Sequence, residues 1–323
     1  MTSPNSTFTE LVSTTFRNHR KEIADNVSKH NALLRRLTTK GKIRIEDGGT
    51  SIAVPLDYAE NGTYQRYSGY DTLNIAASDV ISAAEYNWKQ IAVNVVASGL
   101  ELRTNAGEQR IINLVKARVN NAVRSFKNGL SADLYSDGTS TNQINGLQAL
   151  VADAGTGTIG GIVSGTYTFW KNKVQSAAAP LQGGGAITPS ATTIESLMLP
   201  LFLAQTRGDD APDLIVADSI YFTYFEQSQT SIKRYNDASS ADAGFVSLKY
   251  KGADVIYDNA TGMPTSHMYF LNTDFLELVV HRDANMTVMD QKMSVNQDAV
   301  VIPVLWQGNL VTSNRSLQGV LKA

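Results

Sequence analysis

Residues 106–135 read as one uninterrupted helix, and that length limits what the chain can fold into. Ile111, Ile112, Leu114, Val115, Val119, Ala122, Val123, Phe126 and Leu130 recur at spacings of three and four and form a wide apolar stripe. At 1.5 Å per residue such a helix spans roughly 45 Å, whereas an ordinary one has about 11–12 residues. A chain of 323 residues cannot close into a compact ball around it. The molecule must be elongated or flat.

Residues 6–38 carry a second helical pattern, with a break near Asn18–His19. Phe16, Ile23, Val27, Leu33, Leu34 and Leu37 share one side, and Thr7 with Glu10 makes a capping-box pattern. The other side is basic: Arg17, Arg20, Lys21, Lys29, Arg35, Arg36 and Lys40. The formal charge of the whole chain is -2, so any attraction for a polyanion has to come from a local patch of this kind. A solvated face, or pairing with acidic neighbours, explains the same residues equally well.

Next, Ile43 and Ile45 alternate with charged residues, Asp47-Gly48-Gly49 marks a turn, and Ile52, Val54, Leu56 and Tyr58 alternate again. This predicts a hairpin over 42–58 with one apolar side, and Pro55 places its strand at an edge or a bulge. An isolated two-stranded ribbon is marginal in water. The aliphatics Ile43, Ile45, Ile52, Val54 and Leu56 must therefore be covered, and the flat build points to a neighbouring copy of the chain. Residues 60–71, rich in Gly, Asn and Tyr, read as irregular, and 41–80 as a projecting arm.

From Tyr86 a long strand is expected. Tyr86 and Trp88 lie on one side and Ile91, Val93 and Val95 on the other, with a phase change at Lys89–Gln90 that suggests a bulge or a crossing between two packing environments. Gly-rich loops come next, at 155–165 and 182–185. A helix over 192–206 is interrupted by Pro200, a strand covers 212–216, and a short aromatic helix is capped by Asp218. Residues 227–244 read as an exposed polar loop. The remainder is mostly strand (245–250, 254–257, 268–271, 276–281 and 299–306), and a Gly308-Asn309 turn leads to a last strand.

Chemistry is hard to find. The chain has no Cys and only four His, which excludes disulfides, thiolate nucleophiles and Cys-based metal sites. No two His have the spacing of a metal-binding helix. Gly155-x-Gly157-x-x-Gly160 matches a dinucleotide fingerprint as a string. Its sequel, Gly161-Ile162-Val163-Ser164-Gly165, has no helical character, so a flexible loop is expected. Asp209-Asp210 and Asp133-x3-Asp137 read as turn and surface carboxylates. No run approaches the ~18 apolar residues of a membrane span, and the polar start is unlike a secretory signal. No catalytic residue, metal or cofactor is expected, and the chain is not expected to be an enzyme.

The order of these parts resembles the major capsid protein of tailed double-stranded DNA bacteriophages over nearly the whole chain. The segments that carry the likeness are Tyr86-Asn87-Trp88-Lys89-Gln90, Ile144-Asn145-Gly146-Leu147, Tyr167-Thr168-Phe169-Trp170-Lys171-Asn172 and the closing Gly308-Asn309-Leu310-Val311-Thr312-Ser313-Asn314-Arg315. The resemblance implies an α+β fold with an N-terminal arm over 1–40 and an extended loop over 41–80. It implies a peripheral domain of 81–146 and 281–323 built on the spine helix, and an axial domain of 147–280. Lys233, Arg234, Tyr235, Asn236 and Asp237 would lie in the loop that approaches the five- and six-fold axes. Copies would join head to tail as pentamers and hexamers and close an icosahedral shell around DNA. An encapsulin-like shell enclosing cargo enzymes is the alternative.

Expected partners are other copies, a separate scaffolding protein, a portal, decoration or cement proteins, and packaged double-stranded DNA bound non-specifically. A separate scaffold is expected because helix signals begin within the first ten residues. The expected location is the virion, with assembly in the bacterial host cytoplasm and no membrane contact. Some members of the family lock their shells by joining a Lys of the extended loop to an Asn of another subunit. No Lys lies between Lys42 and Lys89 here, so no such bond is expected from this loop.

Overall fold

The computed structural model of the chain describes residues 31–104, 114–229, 247–290, 292–293 and 297–323. Its first element, α1 (Ala32–Thr39), buries Ala32, Leu33 and Leu37. The rest of the helix expected from residue 6 lies outside the described residues.

Strands β1 (Ile43–Glu46) and β2 (Ile52–Asp57) flank the Asp47-Gly48-Gly49 turn but do not pair with each other. β1 runs parallel to β12 (Leu276–His281), with Ile43 opposite Leu278 and Ile45 opposite Val280. β2 runs antiparallel to β3 (Ile81–Tyr86), which places Ile52 opposite Tyr86 and Val54 opposite Ala84. The hairpin expected over 42–58 is thus replaced by two longer-range pairings. Each gives an aliphatic strand a buried partner, β1 on Leu278–Val280 and β2 on Ala84 and Tyr86. Pro55 sits in a two-stranded ribbon, where both strands are edges, as its missing N–H requires.

After Tyr86 the chain leaves this ribbon, and β4 (Lys89–Ser98) joins a different sheet, so the phase change at Lys89–Gln90 marks the crossing. β4 lies along β15 (Ala299–Thr312) from Ser98 opposite Ala299 to Lys89 opposite Gly308. β12 pairs with the far end of β15, and β13 (Thr287–Val288) and β14 (Lys292–Met293) also pair with it. The expected Gly308-Asn309 turn is absent, since β15 runs straight through it. A side chain at Gly308 would come within 2.3 Å of the Val279 carbonyl and against the Trp306 ring. Glycine there permits strand and indole to close up.

A short helix, α2 (Gly99–Thr104), ends β4, and the spine helix is described as α3 (Leu114–Asp133). Ala122, Phe126 and Leu130 of its predicted stripe are buried, and the Phe126 ring lies 6.2 Å from that of Trp306 on β15. Ile111 and Ile112 fall outside the described residues. The one-turn α4 (Leu147–Leu150) comes after the spine. Then β5 (Thr158–Ile159) and β6 (Ile162–Val163) form a small hairpin. Gly160 and Gly161, at φ 59° and 77°, make its two-residue turn. The glycine-rich stretch is an ordered hairpin here, neither a flexible loop nor the start of a helix.

The second six-stranded sheet is built in the order β7 (Lys173–Ser176), β16 (Gly319–Lys322), β11 (His267–Leu271), β8 (Leu214–Ala217), β10 (Ala253–Tyr257) and β9 (Ser247–Tyr250). One face, with Ile215, Val255, Met268, Phe270 and Leu321, packs under α5 (Ile194–Gln205) and α6 (Ser219–Ser228). The other face, with Leu214, Val216, Ile256, Tyr269 and Val320, shares a core with α1, β2 and the spine. Asp218 caps α6, accepting the Tyr221 amide at 2.9 Å. Pro200 does not interrupt α5, contrary to expectation. The Ser196 carbonyl that its missing N–H would have engaged accepts from Gln182 Nε2 at 3.3 Å instead.

The closing strand β16 belongs to this second sheet, not to the sheet of the spine, because its Val320 and Leu321 fill both faces between β7 and β11. β12, which begins before residue 281, belongs to the first. The two sheets thus divide the chain at other places than the expected 280/281 boundary: 276–312 go with the sheet of the spine and 319–322 with the second sheet.

Candidate assembly surface

Between β2 and β3 the chain makes a 23-residue excursion, 58–80, without regular secondary structure. Every residue from 64 to 77 is exposed, including Tyr67, Tyr70 and Leu73, with Tyr64 at 84% and Ile75 at 92%. Apolar side chains at this density on one segment are not solubility features; they are an uncovered surface. Polar side chains hold its shape in place of a backbone ladder. Asn61 Oδ1 accepts from the Thr63 amide at 3.0 Å and from Ser78 Oγ at 3.1 Å. Gln65 spans the two limbs, donating to the Thr72 carbonyl at 3.1 Å and accepting the Asn74 amide at 3.1 Å.

The strands at the root of this excursion are anchored in the chain's own core. Ile52 is wholly buried and Val54 and Leu56 nearly so, alongside Tyr86, Ile144 and Trp170. Ile43 is half-buried against the same core, and Ile45 is 54% exposed. Of the five aliphatics expected to be covered by a neighbour, four are therefore covered at least in part within the chain. The uncovered apolar surface lies further out, between Tyr64 and Ile81. Alternation found the strands, but the Tyr-rich segment after them reads in sequence only as irregular, although its apolar content was the signal. A groove of about 540 Å³ runs along the root, lined by Tyr58, Ile81, Ala83, Ile162, Tyr167 and Phe169.

A second uncovered surface lies on the spine sheet. Ile91, Val93, Val95 and Ala97 of β4 turn inward, whereas Gln90, Ala92, Asn94 and Val96 face out. The register sets Ala92 beside Leu305, Asn94 beside Pro303 and Val96 beside Val301. Those β15 residues are half-buried, and Gln90 and Gln307 join at 3.3 Å. The result is a sheet face that mixes apolar side chains with Asn94 and the Gln90–Gln307 pair.

The basic face of the N-terminal arm resolves differently. Arg36 meets Asp254 at 3.3 Å and Lys40 pairs with Asp213. Lys42 pairs with Asp274 at 2.7 Å, and Arg44 lies 3.4 Å from Glu277 and 3.0 Å from Glu46. Acidic neighbours on the chain itself pair with Arg36 and Lys40, one of the readings that the charge pattern left open. Arg35 is exposed on the outer side of α1. Arg17, Arg20, Lys21 and Lys29 lie outside the described residues, as do Lys233, Arg234, Tyr235, Asn236 and Asp237.

Two buried polar groups that the sequence did not reveal join these parts. Arg315 is fully buried. Its guanidinium donates to the backbone carbonyls of Leu150 (2.6 Å), Trp170 (3.4 Å) and Thr156 (3.3 Å). Burial, only partly offset by Tyr86, lowers its pKa to about 10. It stitches α4, the Trp170 turn and the entry to the β5–β6 hairpin onto the C-terminal segment. Asp258, also buried, gathers α1 and the end of the spine. Among the described residues no three His, Asp or Glu side chains cluster as metal ligands, and no helix is long and apolar enough to cross a membrane.

By sequence, the chain matches no family model and no curated protein. By structure it resembles shell proteins along almost its full length. The chain in the cyanophage A-1(L) capsid asymmetric unit superposes at a TM-score of 0.65 with 16% identity, covering 98% of this chain and 99% of that one. A subunit of the capsid of an empty GTA particle gives 0.61 with 15% identity over 93% and 99%. The encapsulin of the holo-SrpI complex from Synechococcus elongatus PCC 7942 gives 0.55 with 9% identity over 93% and 91%. The described residues have the fold of these shell proteins, the α+β capsid fold of tailed phages. At such identities the likeness is one of architecture.

Proposed function

We propose that this chain is the structural subunit of a tailed-phage capsid. Copies associate head to tail into pentamers and hexamers, which close an icosahedral shell around double-stranded DNA. The observation that carries the reading is the excursion 58–80, which places five large apolar side chains in solvent on a chain whose whole length has capsid architecture. A subunit that is covered only by its neighbours accounts for both. The excursion and the outer face of the spine sheet occupy different places on the chain, so docking of one onto the other in a neighbouring copy is heterologous, the type of contact that makes rings where its rotation closes. The domain division tracks the two sheets. The arm is 1–40, the extended loop lies within 41–80, the spine sheet and helix form the peripheral part, and the sheet under α5 and α6 forms the axial part with residues 233–237 toward the symmetry axes.

The subunit's role is mechanical, without catalysis or cofactor. Its further partners are a separate scaffolding protein, a portal and decoration proteins, and assembly takes place in the bacterial host cytoplasm. Non-specific contact with DNA falls to Arg17, Arg20, Lys21, Lys29 and Arg35. The likeness to an encapsulin supports a second reading, a shell enclosing cargo enzymes. Expression of the chain with and without the scaffolding protein of its own genome, with electron microscopy of the products, tests both. Shells that need the scaffold favour the phage capsid, shells formed without it and loaded with protein favour the encapsulin-like shell, and no shells under either condition reject both.

A further inference from the structure

His267, at the first position of β11, holds two oxygens that can only accept hydrogen bonds. Its Nδ1 lies 2.7 Å from the Thr265 carbonyl and its Nε2 lies 3.0 Å from Asp153 Oδ2. A neutral imidazole carries one N–H and can satisfy only one of them, whereas the imidazolium satisfies both. The His267 side chain is 15% exposed and that of Asp153 46%, so water can take over a lost bond at the carboxylate more readily than at the ring.

The charges facing the ring come from every neighbouring element. Asp153 comes from the turn after α4, Asp218 from the cap of α6, and Lys322 is its register partner on β16. The Tyr269 ring lies 6.3 Å away on the same strand. Two carboxylates against one ammonium favour the charged ring. Burial opposes the charge, but the bonds to Asp153 and Thr265 outweigh it and raise the His267 pKa, while Asp153 is held below its ordinary range by the same bond.

We propose that His267 is a pH-operated latch, whose doubly protonated ring clamps the 152–155 turn to the start of β11, an inner strand of the second sheet, and whose deprotonation releases it. The turn leads into the β5–β6 hairpin, and the Gly160 carbonyl of that hairpin accepts the Glu85 amide at 3.0 Å beside the root of the projecting excursion. The latch therefore sits between the axial sheet and the segment that departs from it. Arg315 and Asn172 hold neighbouring carbonyls of the same turn at every pH where they stay charged or polar, so the release is local.

Proton binding sets the sign. The latched state binds one proton more than the open state between the open-state pKa of about 6.5 and the higher latched value. The latch is fully closed below that window, weakens as pH rises through it, and levels off above. Falling pH weakens it again only when Asp153 protonates.

The test is an NMR titration of the His267 imidazole nitrogens in the full chain, with amide exchange of residues 152–160 measured over the same pH range. The expected result is a His267 pKa above 6.5. After correction for intrinsic exchange, opening should grow up to about tenfold per pH unit inside the window. Asp153→Asn should bring the pKa down and abolish the pH dependence with the fold intact by circular dichroism. A His267 pKa at or below the ordinary value, or corrected exchange that does not vary with pH, overturns the latch. Neither readout depends on whether shells form.

Discussion

The carboxylate of Asp258 accepts the backbone amide of Leu33 at 2.9 Å, across 225 residues of sequence. Leu33 lies in the first turn of α1, where amides have no partner within the helix. Asn31 makes no capping bond there, so a distant aspartate performs the task. The same carboxylate accepts Tyr135 Oη at 2.8 Å and the Ala260 amide at 3.0 Å. The helix α1, the end of the spine and the segment after β10 meet at one side chain.

Asp258→Ala leaves a buried amide and a buried hydroxyl unpaired, and should cost about 2–4 kcal/mol. Asp258→Asn, which keeps an acceptor, should cost less. Chemical denaturation measures both. Limited proteolysis of the alanine variant should add cuts at 31–40, and an unchanged denaturation midpoint would show that the arm is held elsewhere.

How far the sequence foretold this arrangement depends on the range of the interaction. The spine helix, the strands and the Asp218 cap were legible because periodicity and capping are local signals. Pairing was not. Two alternating segments around Asp47-Gly48-Gly49 look like a hairpin, yet β1 finds its partner more than 230 residues away, in a parallel register that no turn encodes. Asp258 and Arg315 were missed for the same reason: burial of a charge is a property of the assembled core and leaves no pattern around the residue. The basic face of α1 was legible as a charge pattern, but Asp213 and Asp254, which neutralise part of it, are adjacent only in the fold.

Arg315 supplies hydrogen bonds to three carbonyls, of which those of Leu150 and Trp170 are buried with it. Arg315→Met should therefore cost about 3–5 kcal/mol. Arg315→Lys should recover little, since an ammonium cannot reproduce the planar fork. Urea unfolding of the two variants checks this, and a lysine variant of native stability would mean that charge alone matters at the site.

Root and tip of the extended loop should separate cleanly. Val54→Asp buries an unpaired carboxylate in the core and should destabilise the monomer by more than about 3 kcal/mol. The triple change Tyr67→Ser, Tyr70→Ser and Ile75→Ser touches only exposed positions and should shift stability by less than about 1 kcal/mol, yet prevent shell formation. Thermal melting together with sedimentation distinguishes the two classes. Normal particles from the triple variant would remove the loop from assembly.

Charge reversal on α1 should act on folding. Arg36→Glu places a carboxylate against Asp254 and should cost about 1 kcal/mol, with recovery on adding Asp254→Lys. If the single reversal leaves stability intact and the double change restores nothing, the pair is incidental.

Shells of this protein should contain no covalent links from the extended loop, since the only charged nitrogen donor between Lys42 and Lys89 outside β1 is Arg66. Denaturing gels of purified particles read this directly: a single band at the chain's mass is expected, and a ladder traced by peptide mapping to 58–80 would contradict it.

The most direct measurement is cryo-electron microscopy of the full-length chain from cells that also supply the scaffolding protein proposed above. Closed icosahedral particles are predicted, with residues 58–80 of each copy lying on another copy. Monomers that persist at high concentration, with Tyr64, Tyr67 and Tyr70 still in solvent, would contradict the account.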